Sequence, residues 1–203
     1  TAEFESALLE ASRSELDFIQ QIALETWGRT KPNSPLLLDQ MTKLLSGTKE
    51  PGMLEFLLSL LIATNPASGT LHEKLLELGR SDDPEMVVLG VAHIKRCVKS
   101  EGGQAEALRV INVLLSDSEW GMNTPMIGGS SRVKTARHYA IYLIEAFRST
   151  EMPADVIDEL RKSIEILISE KASDDPIAKR IAMGVLDRII DYVPRNPDDD
   201  RPQ

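Results

Sequence analysis

Residues 153–168 read Pro-Ala-Asp-Val-Ile-Asp-Glu-Leu-Arg-Lys-Ser-Ile-Glu-Ile-Leu-Ile, and their spacing decides the fold class. Val156, Ile157, Leu160, Ile164, Leu167 and Ile168 fall three or four apart, with Asp158, Glu159, Arg161, Lys162 and Glu165 on the opposite side. A 3.6-residue turn gathers the first set into a buried stripe and the second into a wet face. The same spacing runs through most of the chain and no segment alternates, so the expected class is all-α, without strands.

Working outward from that stretch, the spacing predicts helices over about 2–28 (with a break site at Ser12–Ser14), 34–46, 51–64, 69–80, 84–100, 103–116, 131–148, 153–171 and 176–192. Helix starts carry recognisable chemistry. Asn33-Ser34-Pro35, Asp83-Pro84 and Asp175-Pro176 place a capping side chain before a first-turn proline, and Met152-Pro153 opens another helix. Thr70 with Glu73 forms a capping-box pattern ahead of Leu75 and Leu78. Residues 194–203 are acidic and proline-rich, which predicts a disordered tail after a single domain over 1–193.

Composition bounds the function classes. Aromatics are only 4% of the 203 residues, so the core must be built from Leu, Ile, Val, Met and Ala, which suits helix-on-helix packing. A net charge of −9 argues against general affinity for nucleic acids or anionic membranes. The lone Cys97 excludes an intramolecular disulfide, so a cytoplasmic setting is favoured over an oxidising one. The most apolar run, Met53 to Ala63, contains Glu55 and has the length of a core helix rather than a membrane span.

An internal repeat organises the chain. Ser81-Asp82-Asp83-Pro84 recurs as Ser173-Asp174-Asp175-Pro176, and the helices they open match Gly90 with Ala182, Ala92 with Gly184 and Ile94 with Leu186. The prolines are 92 residues apart (176 − 84), and Ser131-Arg132-Val133-Lys134-Thr135-Ala136 opens a long helix halfway between them. Two such periods of 46 residues each match the length of a two-helix HEAT or armadillo unit. The chain resembles the HEAT pattern at Asp175-Pro176-Ile177-Ala178-Lys179 and at Val133-Lys134-Thr135-Ala136. Asp83-Pro84 matches the turn but has Val87 where the family favours a basic residue, and Glu50-Pro51 is a weaker first copy. The likeness covers roughly residues 34–192. It implies a right-handed α-α superhelix of about four stacked hairpins, with the first helix as an N-terminal cap, in which each apolar face is covered by a neighbour.

Residues with chemical potential are few. His93 and Cys97, four apart on one helix, share a face as two metal ligands would, but no third ligand accompanies them. Burial of Cys97 as a small hydrophobe is the expected reading, with no metal and no cofactor. The acidic residues fall on solvated faces or at helix caps, and Gly128-Gly129-Ser130-Ser131 reads as a linker rather than an anion nest, so catalysis is not indicated.

Two features point to binding. The resemblance implies that each hairpin's second helix lines the concave surface. Ten of the 23 basic residues fall in those helices: Lys95, Arg96, Lys99, Arg132, Lys134, Arg137, Arg148, Lys179, Arg180 and Arg188. Lys134, Arg137, His138, Glu145 and Arg148 share one helical side with Tyr142 at its rim, and Lys95, Arg96 and Lys99 share the exposed side of the helix before. A basic stripe on an acidic protein would attract an acidic segment of a protein or peptide partner; solvation of that face is the plain alternative. The second feature is the connection Ser116–Ser130, too long for a hairpin turn and carrying Trp120, Met122, Met126 and Ile127. Trp120 either contacts a partner with Met122 or folds back as a plug. The expected function is thus a non-catalytic protein- or peptide-binding scaffold. The resemblance also carries two other readings, a nucleic-acid-binding protein of the DNA glycosylase type and a pigment-handling lyase. The negative charge and sparse stacking residues weigh against the first, and no residues could be assigned to the second.

Overall fold

The computed structural model describes residues 2–117, 120, 125–126, 134–135, 144, 153–168, 180 and 183–184. Eight helices are laid down in order: α1 (Ala2–Ala11), α2 (Asp17–Thr30), α3 (Pro35–Gly47), α4 (Pro51–Thr64), α5 (Gly69–Gly79), α6 (Pro84–Lys99), α7 (Gln104–Leu115) and α8 (Ala154–Ile168). Ile144, Arg180, Met183 and Gly184 are also helical. The expected tail and most of the helices expected over 131–148 and 176–192 lie outside the described residues.

Local chemistry explains where the helices begin. Pro35, Pro51 and Pro84 each occupy the first turn, where an amide hydrogen would have no partner. The side chain before each proline takes up orphan amides: Ser34 from Leu37 at 3.5 Å, Glu50 from Gly52 at 3.0 Å and from Met53, and Asp83 from Glu85 at 2.9 Å. In α5 the cap is Ser68, whose hydroxyl accepts the Leu71 amide at 3.4 Å. Thr70 therefore lies inside the first turn and does not cap the helix, because extended backbone at Ser68 puts the boundary two residues earlier.

The span 2–28 is divided at the expected break site into α1 and α2, with residues 12–16 between them. The Ser12 hydroxyl bonds back to the Leu9 carbonyl at 2.8 Å. Its own carbonyl, freed by the break, accepts Gln20 Nε2 at 2.8 Å and Gln40 Nε2 at 3.4 Å. Glu5 ties α1 to the α2–α3 turn, accepting Lys31 Nζ and the Ser34 hydroxyl at 2.7 Å each.

A further correction concerns Lys134 and Thr135, expected in the first turn of a long helix. They pair antiparallel with Pro125–Met126, Pro125 opposite Thr135 and Met126 opposite Lys134. A short ladder gives backbone groups partners outside a helix, and β-branched Thr135 has a residue type suited to it. Apart from this two-residue ladder, the elements found among the described residues are helices.

Each helix from α1 to α7 packs on its successor, α7 packs on α8, and α1–α3, α2–α4, α4–α6 and α5–α7 also pack together. One continuous cluster runs through them, including Leu24, Trp27, Leu37, Met41, Leu58, Leu71, Ile94, Leu108, Ile111 and Leu160. Val156, Leu160 and Ile164 of the 153–168 stripe lie within it, and Ile157 is buried as well. α5 and α6 approach closely at Gly90, where a Cβ would sit 2.9 Å from the Leu78 Cβ. Trp120 docks beside it, on the last residue of α5. It is buried, and its indole N–H donates to the Gly79 carbonyl at 2.6 Å.

Candidate functional site

α4 and α6 lie side by side, and an open cleft of about 330 Å³ runs between them. Pro51, Gly52 and Glu55 of α4 face Glu85, Val88, Leu89, Ala92, His93 and Arg96 of α6 across it. Spacing puts these residues there: positions 85, 88, 89, 92, 93 and 96 form one stripe at helical period. α4 is apolar nearly all round because α2, α3, α5 and α6 surround it, so Glu55 and Ser59, four apart, mark its accessible line.

Arg96 is built in rather than free. Its Nη2 lies 3.3 Å from Glu55 Oε1, and its Nη1 donates to the Ser59 hydroxyl and to His93 Nε2, the latter at 3.2 Å. His93 is buried, with Nδ1 2.9 Å from the Leu89 carbonyl. A carbonyl only accepts, so Nδ1 carries the hydrogen and Nε2 presents a lone pair to the guanidinium. Burial pushes the imidazole below its ordinary 6.5, the Leu89 carbonyl opposes that shift, and the Arg96 charge adds to it. His93 is therefore a neutral bracket for Arg96.

Ser59 Oγ stands 3.3 Å from His93 Nε2, a separation that could suit a nucleophile and its base. Here the guanidinium donates to both atoms, and the lone pair that would take a proton from Ser59 already accepts from Arg96. The imidazole is oriented by a carbonyl rather than a carboxylate. The arrangement immobilises an arginine and does not activate a serine.

Cys97, one turn beyond His93, is fully buried, and burial, with Glu106 adding to it, pushes its thiol up to about 12. Among the described residues no group of three or more His, Cys, Asp or Glu is placed to hold a metal ion. No described helix is long and apolar enough to cross a membrane.

Of the residues singled out from the sequence, Lys95, Arg96 and Lys99 are carried together on α6, Arg96 and Lys99 exposed and Lys95 half-buried. Lys134 lies in the ladder. Trp120 is buried, with its indole N–H on the Gly79 carbonyl at the end of α5. Met122, Arg137, His138, Tyr142 and Arg148 lie outside the described residues. Sequence reasoning missed Glu55, Ser59 and His93 as the bracket of Arg96. The available signal was a lone carboxylate and a lone serine four residues apart in the most apolar run of the chain.

A second cavity of about 360 Å³ lies beside the α3–α4 turn, lined by Lys49, Leu54, Lys74, Glu77, Asp83 and Met86 among others. Lys74 is largely buried, with its ammonium 2.9 and 3.0 Å from the two Glu77 oxygens.

Comparison with known proteins finds no matching family model, no similar curated protein and no similar solved structure.

Proposed function

We propose that the chain is a non-catalytic protein- or peptide-binding module, with its helices arranged as a HEAT-like array and its ligand received along the α4–α6 face. The packing of each helix on its neighbour, with α2–α4–α6 and α5–α7 contacts one step further on, supports two rows of helices. In the resemblance the second helix of each hairpin lines the inner row. α4 and α6 are those helices in the first two units.

The observation that carries the reading is the bracketed Arg96 at the rim of an apolar-floored cleft. Val88, Leu89 and Ala92 offer a floor for an aliphatic side chain. An arginine already fixed by Glu55, Ser59 and His93 loses little freedom when it meets a carboxylate, which favours it as an anchor. Charge also runs along α6, from Glu85 in its first turn to Arg96 and Lys99 in its last. That gradient would orient a bound segment with its acidic end towards the C-terminal end of α6.

The test is selection of a displayed random-peptide library on the intact chain. Enriched peptides should carry an aliphatic residue beside acidic ones, and Arg96→Ala with Lys99→Ala should weaken them about tenfold or more, as should raised salt. Enriched peptides indifferent to both changes, or no enrichment at all, would contradict the proposal.

A further inference from the structure

The second cavity, beside the α3–α4 turn, is built round a buried charge. Lys74 of α5 is 9% exposed, and it is the one buried cation among the described lysines and arginines. A buried ammonium has to stay paired, because an uncompensated charge away from water is strongly destabilising. Its partner is Glu77, three residues on, whose two oxygens accept it at 2.9 and 3.0 Å. Among the described residues those are its only polar contacts, so one of its three N–H donors is left over. The Glu77 side chain, by contrast, is 67% exposed. The pair is lopsided: the cation is fixed in the cavity wall, while its carboxylate sits at the solvent edge and turns out into water at little cost.

The rest of the lining narrows what would take the place of Glu77. Leu54 and Leu78 form apolar wall, with half-buried Met86 beside them. Lys49 also lines the cavity, exposed and without an ion pair among the described residues. At about 360 Å³ the space lies at the small end of ligand pockets, which run from about 300 to 1,000 Å³. One buried cation calls for one anionic group, and its two-point hold on Glu77 shows that a carboxylate fits it. The leucines and Met86 call for an aliphatic tail. Glu77 and Asp83, both at the cavity, would repel a ligand that carried a second negative charge.

We infer that this cavity binds a small aliphatic monocarboxylate, whose carboxylate replaces that of Glu77 on the Lys74 ammonium. The buried cation stays paired throughout, Glu77 gains hydration, and the tail leaves water for the apolar wall. The cavity shares no lining residue with the α4–α6 cleft, so the inference stands whether or not that cleft binds a peptide. Sodium hexanoate titrated into the full chain should shift the amide NMR signals of Lys74, Glu77 and Leu78 saturably at millimolar concentration. Hexanamide, which keeps the tail without the charge, should bind about tenfold more weakly, as should succinate and inorganic phosphate, which carry more charge. Glu77→Gln should tighten hexanoate about threefold or more, because the competing carboxylate is gone, whereas Lys74→Met should weaken it about tenfold or more. A purely structural ion pair would not give effects of opposite sign. Glu77 is exposed, so its variant reports on the site even if Lys74→Met disturbs folding. No saturable shift, equal binding of hexanamide, succinate or phosphate, or hexanoate binding that Glu77→Gln leaves unchanged or weakens would overturn the inference.

Discussion

Glu5 shows how one side chain can fix an element. α1 has no buried residue, so its attachment depends on half-buried apolar contacts and on this carboxylate, which bonds to Lys31 and Ser34. The Lys31 ammonium, with the Ser34 hydroxyl, holds the carboxyl at about 2, well below its ordinary 4.5. A carboxyl depressed in the folded state contributes stability above its unfolded value and loses it as pH falls through the folded one. The docking of α1 should therefore weaken between about pH 4.5 and pH 2. Amide exchange in residues 2–11 followed against pH should show this acid loss, and Glu5→Gln should lose most of it. Gly90 is the second such position. A Cβ there meets Leu78 at 2.9 Å and the Gly79 amide nitrogen at 3.3 Å, and neither is the movable end of a long side chain. Gly90→Ala should destabilise by about 1–3 kcal/mol in urea titrations despite the better helix propensity of alanine. A gain in stability would mean that α5 and α6 are not in close contact there.

Between elements, the α7–α8 seam is unusual because its centre is polar. Asn112 donates to the Glu159 carbonyl at 3.2 Å and to Glu159 Oε2 at 3.1 Å, while the Ser163 hydroxyl bonds to Asn112 Oδ1. Burial pushes the Glu159 carboxyl up, but bonds from Lys162 and Arg109 outweigh it and hold the group below its ordinary range. Removing one member leaves buried partners unsatisfied, so Asn112→Ala should cost about 1–3 kcal/mol. Asn112→Leu combined with Ser163→Ala should cost less than the sum of the two single changes, and a double-mutant cycle in urea checks that coupling. The sequence showed this helix clearly, because the Val156–Ile164 stripe needs only period and polarity to be read. It did not show the seam, because Asn112, Glu159 and Ser163 are far apart in sequence and look like ordinary wet-face residues until α7 and α8 meet. The same limit applies to α2. Period marks Phe18 and Ile22 as apolar positions, yet both stand exposed, and whether a neighbour covers such positions is decided in three dimensions. Helix starts were legible at Pro35, Pro51 and Pro84 because proline fixes the first turn. The start of α5 was read at Thr70 from its spacing to Glu73, whereas the Ser68 hydroxyl makes the cap, because the backbone already turns helical at Gly69.

For the whole molecule, the central claim is that the helices succeed one another in two rows and do not close round a single centre. The repeat of Ser-Asp-Asp-Pro and the successive packing of α1 to α8 argue for it, and the peptide-binding reading depends on it because only an array gives α4 and α6 a shared inner face. Lys43 on α3 and Arg161 on α8 are exposed and separated in the proposed outer row by α5 and α7. Cys97, buried with its thiol raised to about 12, will not compete for a cysteine-directed label at neutral pH. The most direct test is therefore the distance between spin labels on Lys43→Cys and Arg161→Cys, read by double electron–electron resonance. Three steps of helix packing place the labels about 30 Å apart or more, and a distribution centred at about 20 Å or less would contradict the array.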